Sequence, residues 1–98
     1  LSFTQDCYEL LSKVPSGKIT TYKAIATALN SKAYRAVGTA MAKNPNLIIV
    51  PCHRVVNNNG EIGQYALGVN KKILLLENEG VKIKNGKVEE FHKLLHSF

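Results

Sequence analysis

The stretch from Ile19 to Lys43, ITTYKAIATALNSKAYRAVGTAMAK, decides how this chain folds. Ile25, Ala26 and Leu29 recur at helical spacing after Tyr22, and Thr20 or Thr21 stands where an N-cap hydroxyl would accept a backbone N–H. The pattern breaks at the polar turn Asn30-Ser31-Lys32. It resumes from Ala33 to Lys43, where Val37, Ala40 and Met41 form a second apolar stripe. Two short helices joined by a tight turn predict either a helix-turn-helix or an αα-hairpin that binds nothing, and periodicity does not separate them. The outward face of the second helix is unusual: Arg35 stands among the small residues Gly38, Thr39 and Ala42. Gly38 costs about 1 kcal/mol of helix propensity, so something is expected to approach this face closely. A neighbouring helix and a minor groove roughly 6 Å wide both meet that description.

Toward the N-terminus, Phe3, Cys7, Leu10, Leu11 and Val14 share one helical face, which predicts a helix over about Thr4–Lys13. Ser2 and Gln5 fit a capping box, and Pro15-Ser16-Gly17 stops the helix. Cys7 on that stripe reads as a small core residue. Beyond the second helix, Asn44-Pro45 ends the pattern, and Leu47 to Val50 reads as a short buried strand leading into Pro51-Cys52-His53-Arg54-Val55-Val56. Asn57 to Gly60 reads as a turn, most simply a hairpin, and Glu61 to Gly68 as a glycine-punctuated loop. Asn70 is expected to cap a helix over Lys71–Glu79 that closes at Gly80. Val81 to Val88 predicts a hairpin around Asn85-Gly86. Glu89 to Ser97 predicts an amphipathic closing helix with Phe91, Leu94 and Leu95 inward.

The chain has 98 residues, enough for one domain of ordinary size, residues 1–98. Thirteen Lys and Arg against seven Asp and Glu leave a net charge of +6, so a polyanion is the first partner to consider. The longest apolar runs, Leu47 to Val50 and Ile73 to Leu76, are far short of the ~20 residues that span a bilayer. No membrane partner is expected. No charged-then-apolar leader opens the chain, which starts with Leu1, as a processed or excised piece would. Two cysteines fit neither a secreted disulfide framework nor a zinc knuckle, so the reducing cytoplasm is expected. His92 and His96 lie four apart but lack a third ligand nearby, so no metal site is expected.

Cys52 carries the chemical interest. His53 and Arg54 adjoin it, and cations favour the nucleophilic thiolate. An inert buried cysteine is the competing reading, because neighbours on an extended segment point to opposite faces.

The hexapeptide Pro51 to Val56 is similar to the active-site motif of the O6-alkylguanine-DNA alkyltransferases, the methylated-DNA–protein-cysteine methyltransferases. Val14 to Lys18, Thr20-Thr21-Tyr22, Arg35 to Gly38, Asn44-Pro45, Gly63-Gln64-Tyr65 and Leu75 to Gly80 also resemble family blocks, in the family's order, over about Phe3 to Gly80. The resemblance implies a mainly α, winged-helix-like domain with a helix-turn-helix and a small β-hairpin, corresponding to the family's C-terminal DNA-binding and catalytic part. It implies a monomer that binds double-stranded DNA in the minor groove, flips out O6-alkylguanine and accepts the alkyl group irreversibly on its own cysteine. By that match Cys52 is the acceptor, His53 its water-linked base, Glu79 the carboxylate orienting the histidine, and Asn44 the brace of the active-site turn. Tyr22 crowds the target phosphate and protonates the leaving guanine, while Arg35 fills the gap in the base stack. Tyr34, Ala36, Gly38, Thr39 and Ala42 join Arg35 and Tyr22 on the DNA face. Tyr65, Ala66, Met41 and the Val55 carbonyl form the base pocket. No cofactor is implied, and the location is DNA-associated in the cytoplasm, or the nucleus of a eukaryote.

The sequence departs from the family in places. Many members carry a further N-terminal domain, and Val81 to Phe98 is expected to supply its stabilising contribution here. Ala66-Leu67 stands where Ser-Gly is common, so the pocket is expected to be narrowed by Leu67 and to prefer methyl over bulky adducts. Tyr34 places a large ring where small residues are usual. Two rival readings remain. One is a non-enzymatic sensor of alkylated guanine, a related class that typically has tryptophan in place of the acceptor. The other is a Cys-His hydrolase, which no oxyanion-hole motif supports.

Overall fold

The computed structural model describes residues 2–45 and 50–98. Helix α1, Phe3–Leu11, begins where Ser2 Oγ accepts the Gln5 N–H at 3.1 Å. It ends two residues before the expected Lys13, because Lys13 and Val14 donate to carbonyls three residues back and tighten the chain ahead of Pro15. Cys7 and Leu11 are its buried residues. A two-residue strand β1, Thr20–Thr21, runs directly into α2, Tyr22–Ala28, and Thr21 Oγ1 caps that helix by accepting from Ala24 N at 3.0 Å. After Asn30, which adopts a left-handed φ of 59°, helix α3 spans Tyr34–Ala42. With seven and nine residues, neither helix would persist alone in water. Their stripes, Ile25 and Ala26 on α2 and Val37, Ala40 and Met41 on α3, pack with Cys7, Leu11, Val14, Cys52 and Val55 into one core cluster. Each large apolar side chain buried there contributes roughly 1.5–3 kcal/mol. Tyr8 ties α1 to α3 by donating its hydroxyl to the Ala40 carbonyl at 2.7 Å. The fold is mainly helical with small sheets and contains the helix-turn-helix.

The expected strand at Leu47 to Ile49 lies outside the described residues. From Pro51 onward the structure differs from the extended segment expected: Cys52–Arg54 form a single 3-10 turn. Strand β2, Val55–Val56, follows, and it pairs in parallel with β1, Thr20 opposite Val55 and Thr21 opposite Val56. The turn Asn57–Gly60 is closed by Asn57 N–H to the Glu61 carbonyl at 2.9 Å. It does not return β2 into a hairpin, because β2 takes β1 as partner and Glu61 bridges to Lys87.

Helix α4 spans Val69–Asn78 with Gly68 at the N-cap. It starts two residues before the expected Lys71, and Asn70 lies inside it. The hairpin β3, Ile83–Lys84, and β4, Lys87–Val88, forms as expected around Asn85 and Gly86, whose φ of 53° and 75° suit a type I′ turn. The closing helix is far shorter than expected. Only Phe91–Leu94 is helical, forming α5, because the chain then extends so that Leu95 bridges in parallel to Ile19. Ile19 N–H donates to the Leu94 carbonyl at 3.0 Å and His96 N–H to the Ile19 carbonyl at 2.7 Å. These bonds replace the missing helical ones. Ile19, Val56, Ile62, Leu76, Val81 and Val88 make a second core cluster, against which Ile73, Ile83, Phe91 and Leu94 pack. Residues 81–98 thus cover the second cluster without joining the first.

Candidate active site

The parallel pairing of β1 with β2 brings the start of α2 beside the Cys52–Arg54 turn. A cavity of about 730 Å³ opens there, lined by Tyr22, Arg35, Gly38, Thr39, Met41, Ala42, Cys52, Asn57, Gly63, Gln64, Tyr65 and Ala66. A shallower depression continues from its mouth past Tyr22, Tyr34, Arg35 and Gly38 to the Asn57–Asn59 turn. Nine of the expected site residues therefore share one concavity: Cys52, Tyr22, Arg35, Gly38, Thr39, Ala42, Met41, Tyr65 and Ala66. Tyr34 borders the outer depression and Ala36 is exposed on α3 without lining either. Val55 is fully buried in the core and does not line the cavity. Leu67, expected to narrow the pocket, is 53% exposed and absent from the lining. Its position after the Tyr65–Ala66 wall turns it to solvent.

Gly38 settles one question left open above. A Cβ built on it meets no atom within 4 Å. Among the described residues no other element packs there, so the small face of α3 is open at Gly38.

Behind the cavity, Cys52 is held from several sides. The Asn44 amide donates to the Val50 carbonyl at 2.8 Å and also bonds the Cys52 thiol. Burial pushes the thiol up from its ordinary value, while the Asn44 bond, the positive charge of Lys72 and the thiol's own backbone pull it down, burial prevailing. Of the two readings of Cys52 offered by the sequence, burial favours the protonated thiol. The adjacent His53 and Arg54 both place nitrogens on Glu79 instead. His53 is buried, 2% exposed, and its Nε2 lies 3.0 Å from Glu79 Oε2. Arg54 turns the same way: its Nε donates to Glu79 Oε1 at 2.9 Å, its Nη2 to Glu79 Oε2 at 2.6 Å, and its Nη1 to the Val14 carbonyl at 2.7 Å. This bidentate fork fixes the carboxylate geometrically as well as electrostatically.

Glu79 sits at the C-cap of α4, and the Pro15–Gly17 turn closes against it: Gly17, at φ +88°, has its Cβ direction 3.4 Å from the Glu79 carbonyl. A side chain on Gly17 would be strained in that conformation and would press on this contact. Burial raises the Glu79 carboxyl, but the Arg54 and His53 hydrogen bonds outweigh it, and the net shift is downward. Burial lowers His53 against the opposing pull of Glu79, so the imidazole is neutral at pH 7. A neutral ring beside a carboxylate donates its Nε2 hydrogen to it, which leaves Nδ1 with a free lone pair. Nδ1 is buried without a hydrogen-bond partner among the described residues. Tyr22 is held protonated, pushed up by burial and then by the Cys52 charge.

Two residues escaped the reading of the sequence. Arg54 was read as a neighbour of the thiol, whereas it serves Glu79. Lys72, at 0% exposure one of the largest fully buried side chains, was not singled out. Its signal is the spacing of Lys72, Leu76 and Glu79 at i, i+4 and i+7, one face of a helix. Among the described residues no group of three metal-ligating side chains clusters, His92 and His96 included, and no helix is long and apolar enough to cross a membrane.

Residues 2–81 match the family model described as 6-O-methylguanine DNA methyltransferase, DNA binding domain. A methylated-DNA–protein-cysteine methyltransferase of Saccharolobus islandicus is 52% identical over 81 residues, covering 83% of this chain and 52% of that protein. The chain therefore spans about half the length of this relative. The crystal structure of O6-methylguanine-DNA methyltransferase from Pyrococcus kodakaraensis superposes with a TM-score of 0.76 at 49% identity, over 83% of this chain and 47% of that one. Atl1 of S. pombe, crystallised with damaged DNA containing O6-carboxymethylguanine, superposes with a TM-score of 0.84 at 29% identity, over 98% of this chain and 95% of that one. The match across residues 2–81, joined to the helix-turn-helix and to a cysteine-bearing cavity at its open face, places the chain in the family of the 6-O-methylguanine DNA methyltransferase DNA-binding domain.

Proposed function

We propose that this chain repairs DNA by transferring an alkyl group from O6 of guanine to Cys52, in a single irreversible turnover. The observation that carries the reading is the placement of Cys52 in the wall of a cavity whose mouth is the open, small-residue face of α3. Duplex DNA hides O6 in the base stack, so the nucleotide must be extruded at a cost of a few kcal/mol. Arg35, exposed at the cavity mouth, enters the stack in its place and offsets part of that cost. The remaining surface cations hold phosphates without reading sequence and make the affinity fall with salt.

In the cavity, Tyr65 and Met41 wall the flipped base. His53 takes the Cys52 proton at Nδ1 through a bridging water, and Glu79, held by Arg54, stabilises the imidazolium that forms. The sulfur then attacks the alkyl carbon, the bond from carbon to O6 breaks, and Tyr22 gives its proton to the departing guanine at N3. The products are a thioether on Cys52 and unmodified guanine. No cofactor enters this scheme. The protein acts as a soluble, DNA-associated monomer, with residues 1–98 as one domain.

The full-length overlap with Atl1 favours a second reading, in which the chain binds alkylated guanine without reacting. Incubation with duplex DNA containing O6-methylguanine, followed by mass spectrometry of the Cys52 peptide, separates the two. Transfer adds one methyl group, about 14 Da by simple chemistry, and Cys52→Ala binds the same DNA but never gains it. Tight binding with an unmodified Cys52 peptide establishes the sensor reading and overturns transfer.

A further inference from the structure

Tyr34 is a large side chain that the fold does not use. It opens α3, is 39% exposed, and belongs to neither core cluster. Among the described residues its ring meets no other ring and its hydroxyl makes no hydrogen bond. Much of the ring stays in water, so its burial contributes little to stability. What it borders is the outer depression, a hollow of about 490 Å³ that it shares with Tyr22, Arg35, Gly38 and the Asn57–Asn59 turn.

The facing wall is held still. The Asn57 N–H donates to the Glu61 carbonyl and the Gly60 N–H to the Asn57 carbonyl, both at 2.9 Å, and Asn59 Oδ1 accepts from the Glu61 N–H at 3.0 Å. Asn57 and Asn59 thus close the turn, while the exposed Asn58 amide makes no hydrogen bond among the described residues. Nor does the Arg35 guanidinium make one. A flat ring, a free amide and a free guanidinium around one hollow match the parts of a nucleotide: a π-face that stacks, a polar base edge and a phosphate.

The position of the hollow says which nucleotide. It shares Tyr22, Arg35, Gly38 and Asn57 with the cavity beside Cys52. A strand that sends guanine into the inner cavity carries its next nucleotide on the same phosphate, so that neighbour arrives at the mouth, where the outer depression begins. Extrusion also strips the neighbour of one stacking partner. Stacking on an aromatic side chain tolerates any base, because every base has a π-face, and this suits a protein that acts without reading sequence.

We propose that the outer depression is a second nucleotide subsite: it seats the nucleotide adjoining the extruded guanine on the same strand, its base stacked on the Tyr34 ring and its polar edge on the Asn58 amide. The inference rests on reading the inner cavity as the receiver of an extruded guanine. It makes the unit held by this protein a dinucleotide rather than one base. Arg35 is a wall common to both subsites, and Tyr34 replaces the stacking that extrusion removes.

The test measures affinity for duplex DNA containing O6-methylguanine, in Cys52→Ala protein so that no transfer intervenes. The intact duplex is compared with two that carry an abasic sugar beside the methylguanine, one on each side, and with a third that carries it in the opposite strand. Adding Tyr34→Ala weakens binding to the intact duplex about tenfold, within the range of one base–aromatic stack, and Tyr34→Phe restores it. The tenfold difference vanishes on one of the two duplexes with a same-strand gap and persists when the gap is opposite. An equal loss on every duplex makes Tyr34 a backbone contact and overturns the proposal, as does a loss that vanishes only when the opposite base is missing. Unchanged affinity overturns it too, because alanine is a stronger helix former at this exposed position and the variant folds. Methyl transfer to Cys52 is scored separately in the unaltered protein. Its absence, with the coupling between Tyr34 and the neighbouring base intact, sinks the transfer reading and leaves the subsite standing.

Discussion

Helices α3 and α4 both serve the surroundings of Cys52 and are nearly equal in length, nine and ten residues, yet they are built on opposite rules. α3 turns only apolar groups inward and presents small residues and one arginine outward, with empty space over Gly38. α4 turns a lysine inward, bears a carboxylate at its C-cap, and leaves Val69 and Leu74 about half exposed. The first arrangement sacrifices helix propensity for an open surface. The second buries charge at a cost in stability for an electrostatically defined interior. A surface meant to receive a large partner needs room and no fixed charge geometry, whereas a nucleophile needs fixed charges and no water. On the function proposed above, binding falls to α3 and chemistry to the surroundings of α4 for that reason.

The largest effect expected from breaking this comparison is on α4. Glu79→Gln removes the carboxylate that holds both His53 and Arg54, so the rate of methyl transfer in single-turnover assays should fall on the order of 100-fold. The melting temperature should drop as well, because Arg54 is left partly buried without its partner. Transfer at the original rate would move the chemistry away from α4. The same site sets the acid stability of the unaltered protein. His53 and Glu79 both titrate lower in the folded chain than their ordinary 6.5 and 4.5, so the unfolded chain binds more protons and stability is lost as pH falls. The loss begins as pH drops below about 6.5 through His53 and continues below 4.5 through Glu79. Urea midpoints measured from pH 8 to 4 should decline steadily, and a flat profile would contradict the buried triad.

A smaller effect belongs to α3. Arg35→Ala should slow repair in duplex DNA about tenfold, roughly the cost of losing part of a wedge worth a kcal/mol or more. Repair of O6-methylguanine in a single strand should be almost unchanged, and equal losses on both substrates would make Arg35 a general phosphate contact. The smallest effect is the most diagnostic of an open face. Gly38→Ala meets no protein atom, so it should raise stability by about 0.5–1 kcal/mol while weakening duplex binding in a titration. A fall in stability would show that the face is not free.

Much of the fold could be read without coordinates. The Ser2 and Thr21 caps, the stripes of α1, α2 and α3, and the Asn85-Gly86 hairpin each depend on residues within one or two turns of each other. The motif from Pro51 to Val56 was likewise legible as a contiguous block carried by family resemblance. The misses share one cause. The closing helix stops at Leu94 because Leu95 is claimed by Ile19, and Asn57–Gly60 is not a hairpin because β2 is claimed by β1. Arg54 faces Glu79 rather than the neighbouring thiol because the 3-10 turn rotates it away from the direction an extended segment would have chosen. In each case a partner far off in sequence overrode a sound local preference.

What the sequence by itself determined is therefore the helix-turn-helix pair, its small outward face and the contiguous block around Cys52, since periodicity and contiguous motifs encode these directly. Only the tertiary structure decided which cations reach the sulfur. Charge counts in a sequence treat every lysine and arginine alike. The influence of a cation depends on burial and distance, and those are set by how α4 packs against the active-site turn. Arg54, two residues from Cys52, is held by a carboxylate 25 positions away. Among the described residues, Lys72, from another helix, is the cation that pulls the thiol down against burial.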